Sequence, residues 1–135
     1  MGMPPDQRFQ KHERLRRRTD FERVFARRCS VGDDVLVVYV AENGLAWTRF
    51  GLSVSKRIGN AVHRNYVRRR IREAFRTSKA DISKGFDIIC VARLKAVDRG
   101  IDVGHSLRSL VPKAIREAEG RGSANRARSN RDMTR

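Results

Sequence analysis

A run of arginines within the sequence KRIGNAVHRNYVRRRIRE, residues 56–73, carries the most evident chemistry of this chain. At about 100° per residue, a helix through this run and just beyond it turns several of these side chains toward one side. Guanidinium groups three and four residues apart repel one another, so the cluster is unfavourable unless an anion offsets the repulsion. The pattern therefore predicts a surface for a polyanion such as nucleic acid, formed by Asn65, Arg69, Arg72 and Arg76 and flanked by Arg68.

The opposite side of this helix is suited to packing on a core. Its residues follow the i, i+4, i+7 spacing of a buried stripe and are Val67, Ile71, Ala74, Phe75 and Ser78. A charged face that only meets water is the alternative interpretation, because most runs of charge are solvated. Glu73 is the only acid between residues 56 and 78, and this shortage of internal partners favours an external anion.

Composition supports an anionic partner for the whole chain. Its 135 residues carry a net charge of +16 and are 39% hydrophobic, which suits one domain with a modest core. So large a positive charge predicts a salt-sensitive complex with a polyanion. No apolar run approaches the roughly 18 residues of a membrane span, and the first residues lack the apolar stretch of a signal peptide. We therefore expect a cytoplasmic protein without membrane contact.

Residues that could support autonomous catalysis or metal binding are scattered. Cys29 and Cys90 have no Cys-x-x-Cys or Cys/His spacing and are expected to be free thiols. Asp33 and Asp34, the only adjacent acid pair, precede a strand and are expected to shape a turn. The histidines show no i, i+4 pairing, and they are His12, His63 and His105. We expect no metal site in the protein itself, although His63 remains a candidate contact for nucleic acid.

The elements before and after the arginine helix follow from periodicity and turn signals. Residues 1–13 are polar, contain two prolines and are expected to be a flexible basic tail. A first helix is predicted from about Asp20 to Arg28, with Thr19 and Glu22 as a capping box. One face of this helix carries Phe21, Val24 and Phe25, whose spacing alone is typical of core residues.

Three strands are predicted beyond the first helix. Residues 35–41 and 46–55 are rich in β-branched and aromatic residues, and Asn43-Gly44 between them predicts an antiparallel hairpin with a type I′ turn. Residues 86–93 form a nearly continuous apolar run, which predicts a strand buried on both faces. The arginine helix lies between the second and third of these strands.

A last helix and a tail complete the predicted elements. Apolar residues recur at helical spacing from Leu107 to Ala118, and Pro112 within this stretch predicts a kink or a fresh helical start. Residues 120–135 have no apolar face and are expected to be a disordered basic tail. Residues 14–119 then form one α+β domain in the order α-β-β-α-β-α, or α-β-β-β-α-β-α if an irregular edge strand is counted.

Four short segments give the chain a distinctive signature. They are Gly51-Leu52-Ser53-Val54-Ser55, Gly59-Asn60-Ala61-Val62, Arg64-Asn65 and Arg69 to Glu73, with Asp20, Phe21, Val24 and Phe25 in the first helix. Together they resemble the protein component of bacterial ribonuclease P. Tyr66 departs from the family's R-N-R pattern by replacing an arginine with a ring that could stack on a base or sugar. Arg68 stands where a lysine is common.

The resemblance implies a small two-layer α/β sandwich with a left-handed β-α-β crossover, against the usual right-handed rule. It implies RNA-binding residues in and around the arginine helix, namely Lys56, Arg57, Asn60, Arg64, Asn65, Tyr66, Arg68, Arg69, Arg70, Arg72 and Arg76. It also implies a cleft between the first helix and the sheet for the single-stranded 5′ leader of precursor tRNA, formed by Phe21, Phe25, Tyr39, Arg16 and Arg17. Aromatic rings in such a cleft can stack on unpaired bases while packing on the core behind them.

The resemblance further implies a division of labour within a ribonucleoprotein enzyme. The RNA subunit catalyses Mg²⁺-dependent hydrolysis that leaves a 5′-phosphate on mature tRNA, with Mg²⁺ held mainly by RNA. The protein is then the non-catalytic subunit of this endonuclease, and its partners are the catalytic RNA and precursor tRNA, with no obligate protein partner. Two alternatives stay open. A structural RNA-binding protein would share the charge without the motif, and a protein-only nuclease would require a carboxylate cluster that these dispersed acids do not suggest.

Overall fold

Helices and strands follow one another in the longer of the two predicted orders. The computed structural model describes residues 10–133, with side chains described through residue 121. The elements are α1 (Arg18–Ala26), β1 (Ser30–Gly32), β2 (Leu36–Glu42), β3 (Arg49–Ser53), α2 (Ala61–Ser78), β4 (Phe86–Ala92) and α3 (Val103–Met133). Short 3₁₀ turns occur at Lys11–Glu13, Lys56–Ile58, Lys79–Asp81 and Leu94–Val97. The predicted α+β class is confirmed, and β1 is the short edge strand.

The sheet has the strand order β1-β2-β4-β3, which differs from the predicted hairpin. β2 pairs antiparallel with β4, so that Leu36 lies opposite Ala92. β3 pairs with the other side of β4 and runs parallel to it, with Arg49 opposite Asp87. The prediction that β2 and β3 pair with each other is therefore wrong. β4 takes the central position because nearly all of its residues are apolar and buried, and a central strand buries both of its faces.

The Asn43-Gly44 pair connects β2 to β3 without forming a hairpin. Gly44 has a φ of +71°, whereas Asn43 is not among the residues with positive φ, which excludes a type I′ turn. The Asn43 side chain instead donates from Nδ2 to the Trp47 carbonyl at 3.1 Å and to Oδ1 of Asp87 at 2.9 Å. This amide group therefore holds a wide loop against the start of β4.

α2 connects β3 to β4 as predicted, and its apolar stripe lies in the core. The five residues of the stripe are buried, and the Phe75 ring stacks on Phe50 of β3 with centroids 4.1 Å apart. Asn60 caps the helix, since its side-chain oxygen accepts a hydrogen bond from the His63 amide at 3.1 Å. Gly59 precedes this cap with a φ of +140°, and a Cβ there would lie 2.9 Å from His63 Nδ1. The left-handed sense of the crossover stays a prediction.

The two faces of the sheet are covered unequally. α2 and α3 pack on one face and share with it the larger hydrophobic cluster, to which Ile88 of β4 belongs. The next residue, Ile89, points to the other face, where α1 covers a smaller cluster. Tyr39 and Val91 on this second face are only partly buried, which leaves room for a cleft beside α1. The buried members of the smaller cluster are Leu15, Val24, Ala41 and Ile89.

α1 begins two residues earlier than predicted and has a different cap. Arg17 is the N-cap residue and makes no side-chain capping bond, so the predicted capping box of Thr19 and Glu22 is wrong. The Leu15 amide donates to the backbone of β3 at 2.8 Å, and the chain turns into the helix soon after this anchor. Glu22 instead pairs with Arg18 one turn earlier, at 3.0 Å.

Residues 10–13 belong to the folded domain rather than to the flexible tail predicted for residues 1–13. The carboxylate of Glu13 pairs with Lys79 at 2.8 Å, and the Trp47 indole donates to the His12 carbonyl at 3.1 Å. These partners are distant in sequence, which is why local composition did not indicate the contacts. Residues 1–9 lie outside the described residues.

α3 is longer than predicted and passes through its proline. It begins at Val103 rather than Leu107 and continues beyond Pro112, so a fresh helical start at the proline is wrong. Proline deletes one backbone hydrogen bond. The buried residues Val111 and Ala114 pack into the large cluster on either side of it, and this tertiary packing compensates for the lost bond.

Residues 120–133 are helical where the sequence predicts a disordered tail. Arg121 donates through Nη1 to the Arg28 carbonyl at 2.7 Å, which ties the helix to the chain after α1 just beyond Gly120. Alanine and arginine are favourable helix formers, and no proline follows Pro112. Residues 134 and 135 lie outside the described residues.

Candidate nucleic-acid interface

The charged face of α2 combines one neutralised arginine with three that have no acidic partner among the described side chains. Arg76 is paired with Glu73, whose Oε2 accepts from Nε at 3.1 Å. This bond raises the pKa of Arg76 and lowers the pKa of Glu73. In residues 10–121, no carboxylate forms an ion pair with Arg68, Arg69 or Arg72. Their charge is therefore available to an external anion.

Two adjoining cavities join these arginines into one basic channel, which we name the arginine groove. The cavity along α2 has about 510 Å³ and is lined by Arg14, Asn65, Arg68, Arg69, Arg72, Glu73 and Arg76. The next cavity has about 260 Å³ and is lined by Arg14, Leu15, Arg16, Phe21, Phe50, Gly51, Leu52, Arg68 and Arg72. Arg14, which sequence reasoning did not single out, borders both cavities. The groove thus runs from the face of α2 to the Phe21 ring.

The arginines where the two cavities meet repel one another. The pKa of Arg72 lies below its ordinary value, and the largest cause is partial burial of its guanidinium group. The residue as a whole is exposed to solvent. The positive charges of Arg14, Arg68 and Arg16 lower this pKa further. Arg72 still keeps its proton at neutral pH, since a guanidinium is not deprotonated in proteins. A phosphate bound in the groove would relieve this repulsion.

Three aromatic rings continue from the groove across the sheet. The centroids of Phe21 and Phe25 are 6.2 Å apart, and Phe25 meets Tyr39 edge to face at 4.8 Å. Each ring is half-buried because its inner side packs on the small cluster beneath α1. The rings therefore contribute to the core and also present surface on which a base could stack.

Gly51 allows Phe21 to lie directly on β3. A Cβ at this position would be 2.8 Å from the Phe21 ring and 2.9 Å from the Leu15 carbonyl oxygen, which is closer than real Cβ atoms approach. The glycine thus brings the first aromatic ring down onto the sheet at the end of the groove. Arg16 borders the groove beside this ring, whereas Arg17 is exposed at the N-cap of α1.

Other predicted RNA-binding residues lie away from the arginine groove. Arg70 donates through Nη1 to the Tyr66 hydroxyl at 3.1 Å and through both terminal nitrogens to the loop before α3. Arg70 is therefore committed to protein oxygens, which differs from its predicted role. Arg64 is half-buried. Lys56 and Arg57 are exposed in the 3₁₀ turn that precedes α2.

Asp87 anchors α1 to the sheet, and sequence reasoning missed it. This residue of β4 is completely buried, and its carboxylate accepts two bonds from Arg49, at 2.8 and 2.6 Å, and one from Asn43 at 2.9 Å. The bond to Asp87 raises the pKa of Arg49. Two residues of α1 join the network, since Arg23 donates to Asp87 and Asp20 lies 3.6 Å from Arg49. A single acid in an otherwise apolar strand was the only sequence signal.

The remaining reactive side chains, two cysteines and an aspartate, occupy structural positions in the core and in a turn. Cys29 and Cys90 are unpaired and buried, and burial raises the pKa of both thiols. Asp33 shapes a turn as predicted, because its Oδ1 accepts from the backbone amides of residues 35 and 36. Among the described residues, no three His, Cys, Asp or Glu side chains are grouped to hold a metal ion. In that same part of the chain, no helix has the length and apolar character to cross a membrane.

Comparison with known proteins decides the family. The Ribonuclease P family model matches residues 9–114, well over half of the chain. The chain belongs to the ribonuclease P protein family. The matched residues include α1, the whole sheet, α2 and the first part of α3, and therefore the arginine groove and the aromatic rings.

Relatives from several bacteria match over most of their own length. The ribonuclease P protein component of Thermoanaerobacter sp. (strain X514) is 40% identical over 102 residues, 76% of this chain and 85% of that protein. The component from Clostridioides difficile (strain 630) is 36% identical over 107 residues, 78% of this chain and 94% of that protein. The solved ribonuclease P protein of Staphylococcus aureus has a TM-score of 0.69 at 36% identity, with 76% of this chain and 94% of that chain covered. The Thermotoga maritima structure gives 0.68 at 36% identity, with 75% and 96% covered.

Membership of the ribonuclease P protein family gives the chain a role in the processing of tRNA 5′ ends. The family is that of the protein subunit of a ribonucleoprotein, and a subunit that binds RNA accounts for the net charge of +16. The resemblance drawn from residues 51–73 and from the first helix is confirmed.

Proposed function

We propose that the face of α2 and the arginine groove bind the catalytic RNA of ribonuclease P, and that the cleft beside α1 receives the 5′ leader of precursor tRNA. The observation that carries this proposal is the continuity of the groove, which leads from Arg68, Arg69 and Arg72, without acidic partners in residues 10–121, to three adjoining aromatic rings. Phosphate neutralisation and base stacking are the two interactions that bind single-stranded RNA. Their adjacency suits a strand that leaves a folded RNA and passes across the sheet.

The protein would supply electrostatics and positioning, while the RNA subunit cleaves the phosphodiester bond and leaves a 5′-phosphate. Arg68, Arg69 and Arg72 would lie between two polyanions and reduce their mutual repulsion. Mg²⁺ prefers carboxylate and phosphate oxygens, and the guanidinium groups of the arginine groove do not fit that ion. We therefore assign the Mg²⁺ required for hydrolysis to the RNA.

Reconstitution tests the proposal directly. A 5′-labelled precursor tRNA is incubated at low Mg²⁺ concentration with this protein, with a bacterial ribonuclease P RNA, or with both. Correct 5′ cleavage is expected only with both, because the protein's cations replace Mg²⁺ in offsetting repulsion between the catalytic RNA and its substrate. RNA binding without stimulated cleavage would support a structural RNA-binding role instead. Cleavage by the protein alone would assign the chemistry to its own side chains.

Substitution of Phe21 tests the leader cleft. In the reconstituted enzyme, Phe21→Ala is expected to weaken binding of precursor tRNA about 5- to 20-fold, because one stacking surface for an unpaired base is lost. Binding of mature tRNA, which has no leader, is expected to change little. The measurement is the dissociation constant of each RNA.

Phe86→Ala provides the matched control for this experiment. Phe86 is buried in the larger cluster on the opposite face of the sheet, so its loss destabilises the fold without touching the cleft. Equal weakening of precursor and mature tRNA by Phe21→Ala, as for the control, would show core damage and refute the cleft.

A further inference from the structure

We propose that Arg99 is an additional RNA-contact residue, presented beside α2 by Tyr66 and Arg70. This inference rests on the proposed binding of RNA by α2. At about 100° per residue, residues 66 and 70 lie on the flank of α2 that faces away from Arg68 and the arginine groove. Arg99 would extend the basic surface around that second flank.

The loop that carries Arg99 is a tight turn with its own hydrogen bonds. The Asp98 carboxylate accepts from the Gly100 amide at 2.9 Å, and the Asp98 carbonyl accepts from the Ile101 amide at 3.1 Å. The Asp98 amide in turn donates to the Lys95 carbonyl at 3.1 Å. These bonds restrict the backbone on both sides of Arg99 and leave its side chain exposed.

Arg70 fastens this turn to α2. Its Nη1 donates to the Asp98 carbonyl at 3.4 Å, and its Nη2 donates to the Ile101 carbonyl. One guanidinium group therefore binds the backbone on either side of Arg99. Because its donors are directed at protein oxygens, Arg70 is a positioning residue.

The ring of Tyr66 supports the Arg99 guanidinium. The Cζ of Arg99 lies 5.4 Å from the ring centroid, and so does the Cζ of Arg70, which is within the range of cation–π attraction. Tyr66 also packs against the larger hydrophobic cluster, so the ring is a firm support. A guanidinium held by its flat face keeps N–H groups at its edge for a phosphate.

The charge of Arg99 has no acidic partner in the described part of the chain. The nearest acid in sequence, Asp98, uses a carboxylate oxygen to close the turn, and Asp102 pairs with Arg108 at 3.9 Å. No carboxylate of residues 10–121 forms an ion pair with Arg99. RNA bound on the adjoining face of α2 would place a backbone phosphate within reach of Arg99.

Binding of a bacterial ribonuclease P RNA tests the inference. Arg99→Ala is expected to raise the dissociation constant about 5- to 10-fold and to reduce its salt dependence by about one counterion. Tyr66→Leu is expected to have a smaller effect, and Tyr66→Phe, which keeps the ring, a smaller one still. A variant with both Arg99→Ala and Tyr66→Leu should bind no more weakly than Arg99→Ala alone, because Tyr66 acts through Arg99. If Tyr66 had only a structural role, the double variant would bind the RNA more weakly than Arg99→Ala alone.

Two further variants distinguish a failure of the Arg99 inference from a failure of the proposed RNA binding by α2. Lys113→Ala removes one exposed charge from α3 and is the matched control. The inference would be overturned if the dissociation constant of Arg99→Ala lay within about twofold of that of this control. Arg68→Ala combined with Arg72→Ala probes the proposed function itself. If that pair weakens binding while Arg99→Ala does not, only the role of Arg99 fails. If neither weakens binding, RNA recognition by α2 fails with it. Melting temperatures near that of the wild type establish that each variant is folded.

Discussion

Replacement of Asp87 by alanine is expected to lower the free energy of unfolding by about 3 to 5 kcal/mol. The carboxylate is completely buried and accepts hydrogen bonds from Arg49, Arg23 and Asn43. Its loss leaves the partly buried guanidinium groups without this carboxylate acceptor, which costs far more free energy than the pairing itself contributes. Urea unfolding followed by circular dichroism gives the measurement.

Asp34→Ala is the control for this stability effect. Asp34 is an exposed aspartate whose nearest cation, Lys95, is 3.7 Å away, and an exposed pair of this kind contributes at most about 1 kcal/mol. Similar losses for the two alanine variants would contradict an anchoring role for Asp87. Because the network includes Asp20 and Arg23 of α1, we also expect Asp87→Ala to shift the NMR signals of Phe21 more than those of Phe75, which lies on the other face.

The second large effect is expected from the charged face of α2. Combined replacement of Arg68, Arg69 and Arg72 by alanine should weaken binding of the catalytic RNA by about 100- to 1,000-fold at low salt. Each lost phosphate contact should also reduce the slope of log affinity against log salt concentration by about one. Relief of repulsion among these arginines makes the free protein no less stable. The measurement is a salt titration of the dissociation constant.

A charge-matched triple variant distinguishes a site from a general attraction. Arg108, Lys113 and Arg116 are exposed on α3, and their replacement by alanine removes the same formal charge from another surface. This control is expected to change the affinity by less than about 10-fold. An unchanged salt slope in the α2 variant, or equal losses in both triple variants, would contradict a localised RNA interface.

The arginine helix shows how far a local pattern can be used for prediction. Its stripe of Val67, Ile71 and Phe75 was predicted to be buried and is buried. The exposed positions of Arg69 and Arg72 followed from the same angular argument. Backbone hydrogen bonds of a helix join residues only four apart, so the period of the sequence contains nearly all the information required.

Contacts between distant residues were the part that pattern could not supply. Asn43-Gly44 is a hairpin signal, yet β4 lies between the strands that it joins, because burying an apolar strand on both faces stabilises more than one favourable turn. Arg14 and Asp87 had no local signature, and their roles depend on partners brought near by the sheet. The family resemblance implied that Arg70 binds RNA, but its donors bind backbone carbonyls of the loop before α3.

The sequence by itself therefore determined the class of partner, the family, the helical arginine surface and the order of the elements. These properties depend on composition, on a motif within eighteen residues and on periods of two or 3.6 residues. Only the tertiary structure decided the strand order, the anchoring of α1 by Asp87 and the union of Arg14 and Arg16 with α2 in one groove. Those features depend on which residues, distant in sequence, bury one another or form hydrogen bonds. Such long-range contacts leave no periodic pattern in the sequence.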